Sequence, residues 1–199
     1  MTDLSLLIRR SLEGDMAAFE EIVRRRRTRV FWTAYNIVGN EEAAKDVSQA
    51  VFVRLWKQLG KFKQDRPLDP WLRRMTVNLG IDAYRKSRRE RELFEPLVEE
   101  PSVSGPFPAL FSPETELAGT EIRSIFDRLA RRLSPMQRAV FVLVEVEGHR
   151  TEEAGTILGI RPSTVRNHLM NARRQLRRNL RQLYPEYLGN LRPIREGKK

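Results

Sequence analysis

At 199 residues, with 40% hydrophobic and 32% charged residues, the chain has the length and composition for one or two small folded domains and does not resemble a disordered protein. It has no cysteine, which excludes disulfides and thiolate metal sites; its histidines, His149 and His168, lie in different elements without further ligands at coordinating spacing, so no metal and no cofactor are expected. The formal net charge of +11 and a pI near 10.6 point to an anionic partner, nucleic acid first, because clustered Lys and Arg release condensed counterions when they meet phosphates.

The N-terminus has only a brief apolar run with no small-residue cleavage site after it, and no stretch reaches membrane-spanning length, so a cytoplasmic protein is expected. Residues 3 to 13 carry Leu4, Leu7, Ile8 and Leu12 at helical spacing and are followed by Gly14 and Asp15. From Met16 to Val38 a second helix keeps Phe19, Ile22, Val23, Val30, Phe31, Ala34 and Val38 in period, with Arg24 to Arg27 and Arg29 on other faces, readable as a solvated flank or as phosphate contacts. Gly39 and Asn40 end it. The next helix, from Glu41 to about Leu59, opens on acidic residues that complement its dipole and places Ala43, Val47, Ala50, Val51 and Leu55 inward. Asp46, Gln49, Val53, Arg54 and Trp56 then project outward. Trp56 reads either as part of a protein interface or as plain core.

Gly60 to Pro70 is a loop by its Gly, Pro and Asp content; Asp69 is expected to cap the following helix, with Pro70 in its first turn. That helix runs from about Trp71 into the late eighties with Trp71, Leu72, Met75, Leu79 and Ala83 inward. Arg73, Arg74, Asn78, Asp82, Tyr84, Arg85, Lys86, Arg88, Arg89 and Arg91 lie outward or toward its C-terminus. Cations interleaved with aromatic and amide groups suit single-stranded or partly opened nucleic acid, whose backbone and unstacked bases they engage; a charged helix end is the other reading.

Between Leu93 and Gly119, Pro96, Pro101, Pro106, Pro108 and Pro113 forbid regular helix, and the intervening glutamates make the stretch an acidic, flexible linker. A second module starts near Thr120: Ile122, Ile125, Phe126 and Leu129 mark one helix, and Ser134 caps another opened by Pro135, with Met136, Val140, Phe141 and Val144 in its stripe. Thr151 to Arg178 then reads as a short helix, a turn at Gly159 and a longer basic helix entered through Pro162. Val165, Leu169, Ala172, Leu176 and Leu180 share its buried face, while Arg166, Asn167, Met170, Arg173 and Arg174 face outward. This is the pattern of a helix-turn-helix whose second helix enters a major groove, although an ordinary helical hairpin with solvated arginines has the same periodicity. Pro185, Gly189 and Pro193 break the pattern and leave a basic tail.

Taken together, DVSQAVFVRLW (Asp46 to Trp56), PWLRRMTVNLGIDAYRKSRRE (Pro70 to Glu90), LSPMQRAVFVLVEVEG (Leu133 to Gly148) and the helix-turn-helix resemble bacterial sigma factors, and more narrowly the compact extracytoplasmic-function (ECF) group of the sigma-70 family. The resemblance implies an all-α chain of two small helical domains, a region 2 bundle over 1–92 and a region 4 helix-turn-helix over 120–183, joined by the linker 93–119 and followed by the tail 184–199. It implies no enzyme and no small-molecule substrate, but a subunit that directs core RNA polymerase to promoters.

Asp46, Gln49, Arg54 and Trp56 match the segment that docks on the β′ clamp helices. Asn78, Asp82, Tyr84, Arg85 and Lys86, with the neighbouring Arg88 and Arg89, match the segment that recognises and opens the −10 element, and the loop Lys61 to Asp69, with Lys61 and Lys63, matches the one that holds a flipped base. Ser163, Thr164, Arg166, Asn167, Met170, Arg173 and Arg174 fall on the −35-reading helix. Further implied partners are the β flap, promoter DNA and an anti-sigma factor. The alternative is a stand-alone helix-turn-helix regulator, which leaves Asp46 to Trp56 without a purpose. Where the family usually has a larger aliphatic residue and an alanine, this chain has Ala154 and Gly155, a substitution pair expected to weaken the helix-turn-helix core by about 1 to 2 kcal/mol.

Overall fold

A computed structural model describes residues 4–62, 67–94 and 125–185, with side chains through residue 90 in the second segment. Among the described residues the chain is helical, with no strand. Helix α1 (Leu4–Leu12) leads through Gly14 into α2 (Met16–Val38), whose N-cap Asp15 accepts the Ala18 N–H. Asn40 caps α3 (Glu41–Gln58) in the same way from Ala43, and a single 3₁₀ turn, Leu59–Lys61, follows. Helix α4 (Leu68–Phe94) completes the first module, in which α2, α3 and α4 pack mutually and α1 lies on α2.

The apolar stripes converge on one core in which Phe19, Ile22, Val51, Leu55, Leu68 and Leu72 are buried. Two sequence expectations shift by one position or more. Ala44 is buried and Ala50 exposed. Helix α4 begins at Leu68, so Asp69 lies inside its first turn instead of capping it, and accepts from Arg26 Nε at 2.6 Å and Arg29 Nη1 at 3.4 Å. Part of the arginine run on α2 therefore ties two helices together, while Arg24 and Arg25 pair with Glu21 on their own helix.

The second module comprises α5 (125–130), α6 (Pro135–Phe141), a π-helical turn at Val142–Val146, α7 (Thr151–Leu158) and α8 (Pro162–Leu183). Ser134 and Gln137 form the reciprocal capping box that opens α6. The π turn, closed by the Glu147 N–H on the Val142 carbonyl, rotates the helix face. This is why Val142 and Leu143 are fully buried and Val144 is only half-buried, against the stripe expected from a 3.6-residue period. Arg138 is 1% exposed, although arginine is a residue type found mostly at protein surfaces. The expected contributions of Ile122, of the linker and of the tail beyond residue 185 lie outside the described residues.

The two modules share a core. Ile37, Val77 and Ile81 of the first are buried with Ala139, Val140, Leu143, Ala154, Ile157 and Val165 of the second, where α4 meets α6 and α7 and α2 meets α6 and the π turn.

Candidate nucleic-acid interface

Helix α8 is held by its apolar face: Val165, Leu169, Ala172 and Leu176 are buried, and Asn179, also buried, donates to the Leu129 carbonyl at 2.7 Å. Gly159, at φ +70°, caps α7 in the left-handed region, and its N–H returns to the Gly155 carbonyl. The turn throws α8 across α7 with Ser163, Arg166, Asn167, Met170, Arg173 and Arg174 exposed and Thr164 half-buried, so the sequence-derived set is gathered on one side. The same surface continues through Arg177, Arg178 and Arg181, which the sequence reading did not assign to the DNA-facing set. Met170, 51% exposed, gives this cationic surface an apolar point suited to a base methyl group.

Acidic groups flank it. Glu145 accepts from Arg173 Nε at 3.1 Å, and Glu152 lies 3.7 Å from Arg166. The backbone N–H of Glu152 and the Thr151 hydroxyl hold the Glu152 carboxyl below its ordinary range, with a further contribution from Arg166, so it is anionic at neutral pH. These exposed pairs are weak and hold the arginines oriented without sequestering them.

On α4, Asn78, Asp82, Arg85 and Arg89 recur at helical spacing and are exposed, with Lys86 beside them. Asp82 pairs with Arg85 at 3.2 Å and Lys86 with Glu90 at 3.9 Å. Lys61 is exposed at the end of the 3₁₀ turn, whereas Lys63 lies outside the described residues. Tyr84 departs from the expected outward placement: it is 2% exposed, and its hydroxyl is within hydrogen-bond distance of the Ala130 and Arg131 carbonyls, at 3.2 and 3.3 Å. Arg88 is half-buried and donates to the Leu133 carbonyl at 3.3 Å. These contacts cross to the second module, and Tyr84 shares its face of α4 with the buried Val77 and Ile81, at spacings of four and three.

On α3, Asp46, Gln49, Val53 and Trp56 form one exposed face with Arg54 at its edge. Trp56 combines its two sequence readings. One side of the indole packs edge-on against Phe19, with centroids 4.8 Å apart, and 37% of the residue remains exposed beside Val53 at 47%. An indole held from behind and open in front is suited to an interface anchor, since little conformational entropy is left to lose on binding. Among the described residues, no group of His, Asp and Glu side chains is arranged to hold a metal ion, and no helix is long and apolar enough to cross a membrane.

The two modules, an α-helical bundle followed by a basic helix-turn-helix, define the class, and comparison with known proteins fixes the family. Residues 22–90 match sigma-70 region 2 and residues 123–176 match sigma-70 region 4. The chain is 34% identical over 170 residues to the ECF RNA polymerase sigma factor SigE of Mycolicibacterium smegmatis, covering 82% of this chain and 63% of that protein. It is 27% identical over 184 residues to SigW of Bacillus subtilis, covering 88% and 96% respectively. Among solved structures, that of CnrH in complex with the cytosolic domain of CnrY is similar over 91% of this chain and 99% of the other, with a TM-score of 0.60 and 25% identity. The chain belongs to the sigma-70 family of RNA polymerase sigma factors, in the ECF group.

Proposed function

We propose that this chain is a promoter-specificity subunit that binds core RNA polymerase, places it on a −35/−10 promoter and assists opening of the −10 region. The observation that supports this reading most is the co-occurrence, in family order, of two different nucleic-acid faces and a third, non-basic face. The cationic side of α8 suits a duplex groove. The mixed amide, carboxylate and cation face of α4 suits partly opened DNA, and the Asp46–Trp56 face of α3 suits a protein.

In this reading Asp46, Gln49, Arg54 and Trp56 dock on the β′ clamp helices. Lys61, Lys63, Asn78, Asp82, Tyr84, Arg85, Lys86, Arg88 and Arg89 serve the −10 region, and Ser163, Thr164, Arg166, Asn167, Met170, Arg173 and Arg174 serve the −35 element. The bounds 1–92, 93–119, 120–183 and 184–199 divide the labour. No bond is made or broken by the subunit: capture of unpaired bases offsets the few kcal/mol, roughly, that unstacking a nucleotide costs. The protein acts in the cytoplasm with polymerase, and an anti-sigma factor restrains it; the similarity to CnrH, solved in complex with the cytosolic domain of CnrY, is in keeping with a protein partner of this kind.

The test is run-off transcription with purified core polymerase on a library of genomic fragments. Discrete transcripts that require this chain are expected. Sequence-specific duplex binding without any effect on, or affinity for, core polymerase would replace this reading with that of a stand-alone regulator.

A further inference from the structure

The outward stripe of α8 is not uniform along its length. Arg166, Met170, Arg173, Arg177 and Arg181 recur at spacings of four, three, four and four and so share one side of the helix. Arg166 and Arg173, toward the end nearest the turn, each face a carboxylate brought from another element. Glu152, in the first turn of α7, stands 3.7 Å from Arg166 and is also reached by the Thr151 hydroxyl at 3.0 Å. Glu145 comes from the π turn, 28 residues away in the chain, and accepts from Nε, at 3.1 Å, and from Nη2 of Arg173. A π-helical insertion of this kind re-aims the side chains that follow it, and such insertions recur at functional sites. Among the described residues, Arg174, Arg177, Arg178 and Arg181 pair with no carboxylate.

We infer that Glu145 and Glu152 are specificity-determining positioning residues: acting through Arg173 and Arg166, they offset the attraction of these two arginines for DNA phosphates, so that both contribute to binding only where a base edge meets them. The relative sizes of the contacts carry the argument. An exposed ion pair is worth a factor of up to about five, so exchanging a carboxylate for an exposed phosphate gains little. A bidentate contact to the right base is worth roughly five- to 150-fold and outweighs the pair. Each carboxylate also opposes any phosphate brought within a Debye length, about 8 Å. Arg177 and Arg181, on the same stripe but without a carboxylate, supply affinity that does not depend on sequence. The face is thereby divided, with discrimination at its start and attraction toward its end. This inference rests on the proposed promoter role, in which the first half of α8 reads bases.

The test removes each charge and keeps the shape. Full-length parent, Glu145→Gln and Glu152→Gln are titrated into a labelled pool of random-sequence duplexes about two helical turns long, at several salt concentrations, and the sequences each protein retains from the pool are counted. Each Gln variant is expected to bind the pool roughly two- to fivefold more tightly and to retain a flatter distribution of sequences. Its log K should fall against log salt with a slope steeper by about 0.9, as one more arginine meets a phosphate. The double variant Arg177→Ala with Arg181→Ala is expected to bind the pool more weakly, with a slope shallower by about 1.8, and to retain the parental order of sequences. Gln variants with the parental salt slope and sequence preference overturn the inference. So does weaker binding to every duplex together with a lowered thermal midpoint, the mark of carboxylates that serve only the fold. A parent that retains no preferred sequence refutes the −35 reading instead, and the salt slopes of the Gln variants still decide whether the carboxylates hold phosphates off.

Discussion

Replacing Gly155 by alanine separates two physical expectations of opposite sign. Helix propensity alone favours the change by about 1 kcal/mol, since glycine in a helix interior costs backbone entropy. In the folded chain, however, a Cβ on Gly155 would stand 2.8 Å from the Ile160 carbonyl oxygen, a backbone atom that no rotamer change can move. That oxygen belongs to the turn whose Ile160 N–H returns to the Gly155 carbonyl at 3.0 Å, and Pro162, two residues on, has its ring 3.7 Å from the same Cβ. Relief requires the turn to shift by about half an ångström, and forced overpacking of this kind costs about 1 to 3 kcal/mol.

Packing therefore outweighs propensity, and a net destabilisation of about 1 kcal/mol follows, worth roughly 4 to 8 °C in the midpoint of a module this small. Because the displaced turn carries the start of α8, affinity for a −35 duplex should fall as well. Thermal unfolding followed by circular dichroism, with Gly60→Ala as a control where a Cβ meets nothing within 4 Å, measures the difference. A higher midpoint for Gly155→Ala than for the parent would refute the reasoning.

Three further outcomes are expected. Arg166→Ala should leave stability within about 0.5 kcal/mol, because its pair with Glu152 is exposed, yet lose roughly 1 to 3 kcal/mol of discrimination among −35 sequences in competition binding; a uniform loss across all sequences makes it a phosphate contact. Charge reversal at the exposed Asp46 or Arg54 should leave the fold intact and weaken association with core polymerase at least tenfold, about 1.4 kcal/mol or more, in a titration; unchanged affinity removes α3 from the docking assignment.

The Ala18 N–H and then Arg10 hold the Asp15 carboxyl below its ordinary value. A depressed folded-state value stabilises above the unfolded-state value, near 4, and is lost as pH falls through the folded one. The midpoint of the parent should thus drop toward that of Asp15→Asn as the medium is acidified below about pH 4, and a gap between the two that does not change with pH counts against the cap.

The sequence by itself determined the elements and most of the exposed face residues, since these depend on local chemistry: Asp15, Asn40 and Ser134 cap their helices, Pro162 opens α8, and Gly159 turns left-handed after α7. The outward sets on α3 and α8 follow from a period of 3.6 residues and are found where that period puts them. Only the tertiary structure decided the rest, because it depends on what approaches from far along the chain. Tyr84 lies off the stripe of Leu72, Met75, Leu79 and Ala83, on the face of α4 it shares with Val77 and Ile81, and that face is buried because the second module lies over it. Residue type makes Arg138 a surface cation, yet it is enclosed because Asp127 and the Asn36 carbonyl at the end of α2 accept from it and the Tyr84 and Phe126 rings cover it. Gly155, a defect when judged by helix propensity, is required by a carbonyl five residues on, and the spacing of that contact is set by the turn and not by the helix.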